Sequence, residues 1–423
     1  MKEAFLKIVK DQQLRSKIIF VLLMFVVFRL LAAIPVPGVD VMKLQAFFAQ
    51  NQLFGLINVF TGSAMNNMSL VMLGLGPFIT ATIIMQLFTM LSPKLKALYQ
   101  EEGERGRQKF NQYARLITFP LALLQGFGMF SLLKSQGIIL PSVNTLTMVT
   151  MLITVAAGAT FLMWIGELIT EKGIGNGVSL LIFAGIVSRL PAGVQQAIIN
   201  YSPAQLMNYA LFLLVGLVVI AGVVIGTEGE RKLAVSYAKR IRGNRIYGGV
   251  STFLPIKVNQ GGMIPIIFAL SVMLFPSMTA NFFINSKIQW LAHLATFMSG
   301  LVQNQLLYGI VYFILVILFT FFYTAVTFDP HAIAENLQAQ GGFIPGIRPG
   351  ANTVKYLEYI LYRIVLVGAL FLGVIAVIPV VMQGVTGNTN FTIGGTAILI
   401  VVAVVLETYK QIKAQVIMRD YAL

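Results

Sequence analysis

The 423-residue sequence holds no cysteine, only two histidines and, at 11% Asp, Glu, Lys and Arg, little charge. Without cysteine there is no disulfide, no thiolate nucleophile and no cysteine-ligated metal. His293 and His331 each lack a partner at helical ligand spacing, so no metal site is expected. The Gly-Lys-Ser/Thr phosphate cradle, the Gly-x-Ser-x-Gly elbow and the His-Glu-x-x-His pair are all missing. Gly173-Ile174-Gly175-Asn176-Gly177 follows an apolar helix rather than a strand, which excludes a dinucleotide loop. The chain is expected to be no enzyme and to carry no cofactor.

Ionisable groups are equally scarce in the apolar stretches. Arg29, Glu167, Arg189 and Glu407 fall near the ends of expected helices, where snorkelling or capping accounts for them. An ion-coupled carrier needs such groups at membrane depth to bind its driving ion or relay protons. Whatever this chain moves is expected to be driven from outside it.

What the sequence has in abundance is apolar surface. It is 57% hydrophobic, with mean hydropathy +0.83, and has too little polar area to clothe a soluble globule of its size. A helix needs about 20 apolar residues to cross a hydrocarbon core about 30 Å thick, and it satisfies its own backbone there. The ten-residue alternation of a membrane barrel is not seen. Ten spans are expected, at 18–34, 69–91, 112–133, 146–169, 177–190, 205–226, 262–283, 305–327, 357–382 and 394–412. The first ends in Ile34-Pro35-Val36-Pro37-Gly38 without a small-x-small cleavage site, so it is expected to stay as a span.

An even number of spans puts both termini on one side. Of the 30 Lys and Arg residues, 25 lie on that side and four, Lys43, Lys134, Arg189 and Lys287, on the other. The bias places both termini in the cytoplasm of a multi-pass cell-membrane protein. The net charge of +15 then makes a one-sided field suited to anionic lipids, RNA phosphates or an acidic protein surface.

Dividing the chain near 191–204 leaves five spans in each half, 1–195 and 196–423, the second with long cytoplasmic loops at 227–261 and 328–356. Five is odd, so the second half enters the bilayer inverted. Matching spans open on matching breaks. Span two starts Gly74-Leu75-Gly76-Pro77 and span seven Gly261-Gly262-Met263-Ile264-Pro265; span five starts Gly175-Asn176-Gly177 and span ten Gly394-Gly395-Thr396. Paired interruptions at corresponding positions point to a central path. Before span two, residues 57–67 are too short to cross and too mixed to face lipid. They read either as a re-entrant piece sheltered by protein or as an ordinary external loop.

In the loop after span six, Arg240, Arg242 and Arg245 cluster near the tip, and the following stretch, Tyr247 to Val258, has strand-like residues suited to a hairpin. Arginine clusters suit phosphate oxygens or carboxylates. In Pro345-Gly346-Ile347-Arg348-Pro349-Gly350, two prolines stiffen a loop that presents one Arg with no acid near it in sequence, the mark of a partner contact.

Taken in order, these stretches resemble the SecY family of protein-conducting channels over essentially the full length. The motifs are Ile34 to Asp40 (IPVPGVD), the short segment with span two, Trp164 to Ile186, Tyr237 to Pro265, Gly342 to Gly350 (GFIPGIRPG) and Gly394 to Ile400 (GGTAILI). The resemblance implies an all-α fold of ten transmembrane helices, in two inverted five-helix halves that form a clamshell around a central pore. It places a ring of aliphatic side chains at the waist, at Leu75, Ile79, Val178, Ile182, Ile267 and Ile400. Such a constriction resists wetting when closed and can seal around a passing polypeptide without binding it specifically.

The resemblance further makes 57–67 a plug that seals the pore from outside, with Asn58, Val59, Phe60, Thr61, Gly62, Ser63 and Ala64 as its residues. It sets a lateral gate between spans two and three on one flank and seven and eight on the other, where Thr80, Thr82, Gln86 and Ser271 give the seam a polar character. Interhelical hydrogen bonds there are worth only about 0.6 kcal/mol each, so the apolar stretch of a signal peptide can outcompete them. The implied activity is passage of unfolded secretory polypeptides across the membrane and release of apolar segments sideways into lipid. The implied partners are the SecE and SecG subunits, the SecA ATPase, engaged at Arg348, a translating ribosome, the signal peptide and preprotein, and anionic lipids. The alternative is an ion-coupled secondary transporter, which shares inverted repeats and broken helices but needs a coupling-ion site.

Overall fold

The computed structural model describes residues 11–50, 61, 64–65, 67–100, 102–140, 143–199, 206–237, 240–242, 245–247, 251–283, 289–290, 292–293, 296–297, 300, 304–386 and 395–420. Each of the ten expected spans coincides with a helix. In the first half these are α1 (Gln12–Ala33), α3 (Gly76–Leu91), α5 (Gly103–Ser135), α6 (Thr145–Lys172) and α7 (Gly177–Val187); in the second they are α9 (Leu206–Glu228), α10 (Ile264–Phe283), α11 (Gln305–Thr327), α13 (Ala351–Thr386) and α14 (Gly395–Asp420). Four shorter helices join them: α2 (Val41–Gln50), α4 (Pro93–Gln100), α8 (Leu190–Ile199) and α12 (Pro330–Ala339).

Caps fix several starts. Asp11, Asn144, Asn176, Asn304 and Asp329 each accept a hydrogen bond from backbone N–H groups of the first turn of α1, α6, α7, α11 and α12 respectively. Those donors have no intrahelical acceptor, and a short polar side chain before an apolar run supplies one.

Among the described residues seven helices are long and apolar enough to cross a membrane: α1, α5, α6, α7 continued into α8, α9, α11 and α13. The protein is therefore a multi-pass membrane protein. The other three are the helices that open on Gly/Pro breaks. α3 has only 16 residues and meets α4 at a bend of 117°, while α10 and α14 complete the set.

The helices pack as two sets related by symmetry. α3 lies on α5, α5 on α6, α6 on α7, and α1 on both α6 and α7; in the second half α10 lies on α11, α11 on α13, α13 on α14, and α9 on both α13 and α14. Each pairing in one set has its counterpart in the other, as two inverted halves require. The halves meet where α10 packs on α3 and α5, and where α14 packs on α7.

Two expectations are corrected. The helix of span two begins at Gly76 rather than 69, because residues 69–75 form turns. That irregular backbone is buried, with Ser69, Val71 and Met72 fully covered, and it hydrogen-bonds to the end of the first span through Val36 N–H to Met68 O and Leu70 N–H to Ile34 O. Non-helical chain at membrane depth is tolerated only under such shelter. The all-α expectation is also amended: β1 (Glu230–Tyr237), β2 (Arg240–Arg242), β3 (Arg245–Tyr247), β4 (Ser251–Lys257) and β5 (Gly342–Phe343) form two small sheets, of order β4-β1-β5 and β2-β3.

Candidate functional site

All six expected ring residues meet in one apolar cluster drawn from four helices. Leu75, Ile182 and Ile400 are buried members of it, and Ile79, Val178 and Ile267 are partly buried against it. Their elements explain the convergence. Leu75 caps α3 and Ile79 lies one turn on, its N–H bonded to the Leu75 carbonyl at 3.0 Å. Val178 and Ile182 are likewise one turn apart on α7, on one face of the helix. Ile267 and Ile400 stand in the first turns of α10 and α14. The buried and packed members of this cluster include no charged residue.

The start of α7 is clamped to α6. The Gly177 N–H donates to Thr170 Oγ1 at 2.9 Å, and a Cβ on Gly177 would stand 1.9 Å from the Gly166 carbonyl oxygen. Only glycine allows that approach, so the Gly175-Asn176-Gly177 break sets where Val178 lies.

Of the expected plug residues, Thr61 and Ala64 are described and both are buried, Ala64 as a member of the same central cluster as the ring. Thr61 packs on the turn before α3, its Cγ2 3.0 Å from the position a Gly74 Cβ would take. These contacts favour the re-entrant reading over the external loop. Asn58, Val59, Phe60, Gly62 and Ser63 lie outside the described residues.

The four seam residues divide. Thr80 and Thr82 donate to carbonyls of their own helix, Gly76 O and Phe78 O, both at 2.9 Å. Thr80 also accepts from Gln125 Nε2 of α5 at 3.3 Å, which links α3 to α5. Gln86 is buried, and its Oε1 accepts no hydrogen bond among the described residues. Ser271 is partly buried on α10, the helix that packs on both α3 and α5. Sequence reasoning missed Gln125; the available signal was a lone amide in the middle of span three.

On the loops, Arg240 and Arg242 sit on β2 and Arg245 on β3, paired as Arg240↔Tyr247 and Arg242↔Arg245. The arginines therefore belong to the hairpin itself. The stretch expected to form one contributes β3 and then β4, which pairs with β1 instead. Arg348 is exposed and makes no ion pair among the described residues; its carbonyl accepts from Thr353 Oγ1 at 3.1 Å, tying the loop to the start of α13. A cleft of about 420 Å³ lies beside it, walled by His331, Glu335 and Gln338 of α12 and by Lys355 and Glu358 of α13.

The two loops are joined. β5, five residues before Arg348, adds to β1 with pairs Ser236↔Phe343 and Tyr237↔Gly342. Below the sheet, Leu233, Ile256, Ile344, Leu357, Ile360 and Leu361 form a separate apolar core that fixes both loops to α13. Pairing across about a hundred residues leaves no local signal, although alternating burial along β1 follows from its sequence.

The SecY family profile matches residues 69–409. The protein translocase subunit SecY of Streptomyces coelicolor is 42% identical, covering 100% of this chain and 99% of its own length. Among solved structures, one in which the plug domain of SecY stabilises the closed translocation channel and maintains a membrane seal superposes with TM-score 0.61 at 19% identity, covering 93% of this chain and 91% of the other. The channel of a canine ribosome-channel complex from the endoplasmic reticulum gives TM-score 0.58 at 19% identity with the same coverage. By profile and by full-length identity alike, the chain belongs to the SecY family of protein translocase subunits.

Proposed function

We propose that this chain is the passive pore of a protein translocase, passing unfolded secretory polypeptides across the cytoplasmic membrane and releasing apolar segments sideways into lipid. The observation that carries this reading is the convergence of six aliphatic side chains from α3, α7, α10 and α14 in one uncharged cluster at the interface of the two halves. Such a waist excludes water and ions while closed, and its flexible side chains can yield to a chain of any sequence.

In this reading Leu75, Ile79, Val178, Ile182, Ile267 and Ile400 are the ring, 57–67 is the plug, and the surfaces between α3 and α5 and between α10 and α11 are the lateral gate. The halves are 1–195 and 196–423, with both termini in the cytoplasm, as the basic residues on one side support. Binding of the signal peptide at the seam opens it. Energy comes from SecA, engaged at Arg348, or from a translating ribosome meeting the arginine hairpin; the likeness to a channel in a ribosome complex supports the second. SecE and SecG complete the assembly, and anionic lipids meet the basic loops.

The test is reconstitution of the chain with SecE in vesicles, with SecA, ATP and a preprotein added. Protease-protected preprotein that requires ATP supports the reading. Solute uptake by the chain alone in an ion gradient, without protein entry, would overturn it in favour of a transporter.

A further inference from the structure

The sheet β4-β1-β5 has one face in the cytoplasmic core and one face bare. The pairing register says which residues share each face, because directly opposed residues point the same way and alternate residues along a strand return to that side. Leu233 and Val235 on β1, opposite Leu254 and Thr252, look inward and are buried or flanked by the core. The other face carries Glu230, Lys232, Ala234 and Ser236 on β1, opposite Lys257, Pro255, Phe253 and Ser251 on β4, with Phe343 of β5 opposite Ser236.

Two aromatic rings therefore stand on the bare face, Phe253 with 62% of its surface exposed and Phe343 with 37%. Two strand spacings of about 4.8 Å and a two-residue offset of about 3.4 Å each put their Cα atoms roughly 12 Å apart. Between them lie only Ala234 and the serines, a shallow floor without a bulky side chain. Around them are Lys232 and Lys257, with Glu230 ion-paired to Lys232 at 3.4 Å. β1 and β4 lead into the segment bearing the arginine hairpin at one end, and the β5 strand leads to Arg348 at the other.

We infer that this face is a docking surface for a cytosolic protein that offers apolar side chains ringed by carboxylates. The inference rests on the reading that Arg348 meets such a partner, and it deepens that reading by placing the apolar centre of the contact at Phe253 and Phe343. Protein interfaces put aromatic anchors at the centre and charge at the rim. This face has that anatomy, and its rim charge is basic, which selects an acidic partner. Pro255 fits the same picture. Val258 N–H bonds to Gly229 O, so the alternating register turns the backbone of residues 251, 253, 255 and 257 outward along the free edge of β4, and proline removes one N–H from that edge. The partner therefore meets side chains on the face, rather than adding a strand at the edge.

The test uses the chain with SecE in nanodiscs, and SecA and vacant ribosomes as the two probes. F253A combined with F343A should weaken SecA binding by about tenfold or more, with the salt dependence unchanged, and F253Y with F343Y should restore it. Lys232→Glu with Lys257→Glu should slow association, most clearly at low salt. If the alanine pair binds SecA within about twofold of the parent while Arg348→Glu loses binding, the face is not used and the reading of Arg348 stands. If Arg348→Glu binds SecA normally, that reading itself fails. If the alanine pair weakens the ribosome but not SecA, the occupant is ribosomal and the assignment to an acidic protein is overturned.

Discussion

Gly158 of α6 lies directly against the Leu70 carbonyl, so closely that a Cβ there would stand 2.0 Å from the oxygen. The atom in the way is backbone, in the turn that leads to Leu75, and no side-chain rotation relieves it. Gly158→Ala should therefore shift the 67–75 turn and lower the stability of the first half by about 1–3 kcal/mol. Because that turn covers Thr61 and Ala64 and ends at a ring residue, the variant should also be leakier when closed. Thermal unfolding and single-channel recording check the two effects, and a variant that melts and conducts like the parent would show that the close approach is not kept in the membrane.

The waist makes a sharper prediction. Ile79, Ile182 and Ile267 come from three helices but pack into one cluster. Each side chain contributes roughly 1.5–3 kcal/mol of apolar burial, and removal of all three opens a gap that water can fill. The Ile79→Gly, Ile182→Gly, Ile267→Gly triple should pass small ions in planar bilayers where the parent is silent. Unchanged conductance would remove these residues from the constriction.

Gln86 points to the seam. Its Oε1 is buried among the described residues without a donor, and leaving an acceptor unpaired costs about 1–3 kcal/mol. Replacing the amide with an apolar group of similar size removes that penalty from the closed state alone, if signal peptide or lipid satisfies it when the seam parts. Gln86→Met should thus raise the melting temperature and slow release of an apolar segment into lipid, read by crosslinking to labelled lipid. Faster release would mean that the amide holds the seam shut.

How much of this was legible in the sequence depended on range. All ten spans could be placed because a membrane helix announces itself by local composition, and Gly74, Gly177 and Gly261 marked the broken starts that position the ring. The start of α3 was misplaced because residues 69–75 are as apolar as a helix; what makes them turns is their bonding to Ile34 and Val36, which is tertiary. Gln125 and the β1–β5 pairing were missed for the same reason. An amide becomes a bridge only when Thr80 is known to face it, and two residues of β5 carry no strand signal until β1 lies beside them. The short helix α12 was passed over because it is too polar for a span, although Asp329-Pro330 is a legible helix start.

The joining of the two loops can be tested at Gly342. A Cβ there would stand 3.0 Å from the Tyr237 ring and 3.2 Å from the Leu337 carbonyl, so a branched side chain must push β5 off β1 or bend α12. Gly342→Val should uncouple the Arg348 loop from the sheet while leaving β1, β4 and the ten spans in place, since their cores lie elsewhere. ATP-dependent preprotein entry should fall severalfold or more, the order of effect expected when a contact of about 1–3 kcal/mol is lost, with closed-state conductance and melting temperature near the parent's. The discriminating comparison is with Gly342→Ala, whose smaller intrusion the flexible Tyr237 ring can yield to; it should retain most activity. Equal loss in both variants would point to the glycine backbone itself, and full activity in the valine variant would show that the two loops act independently.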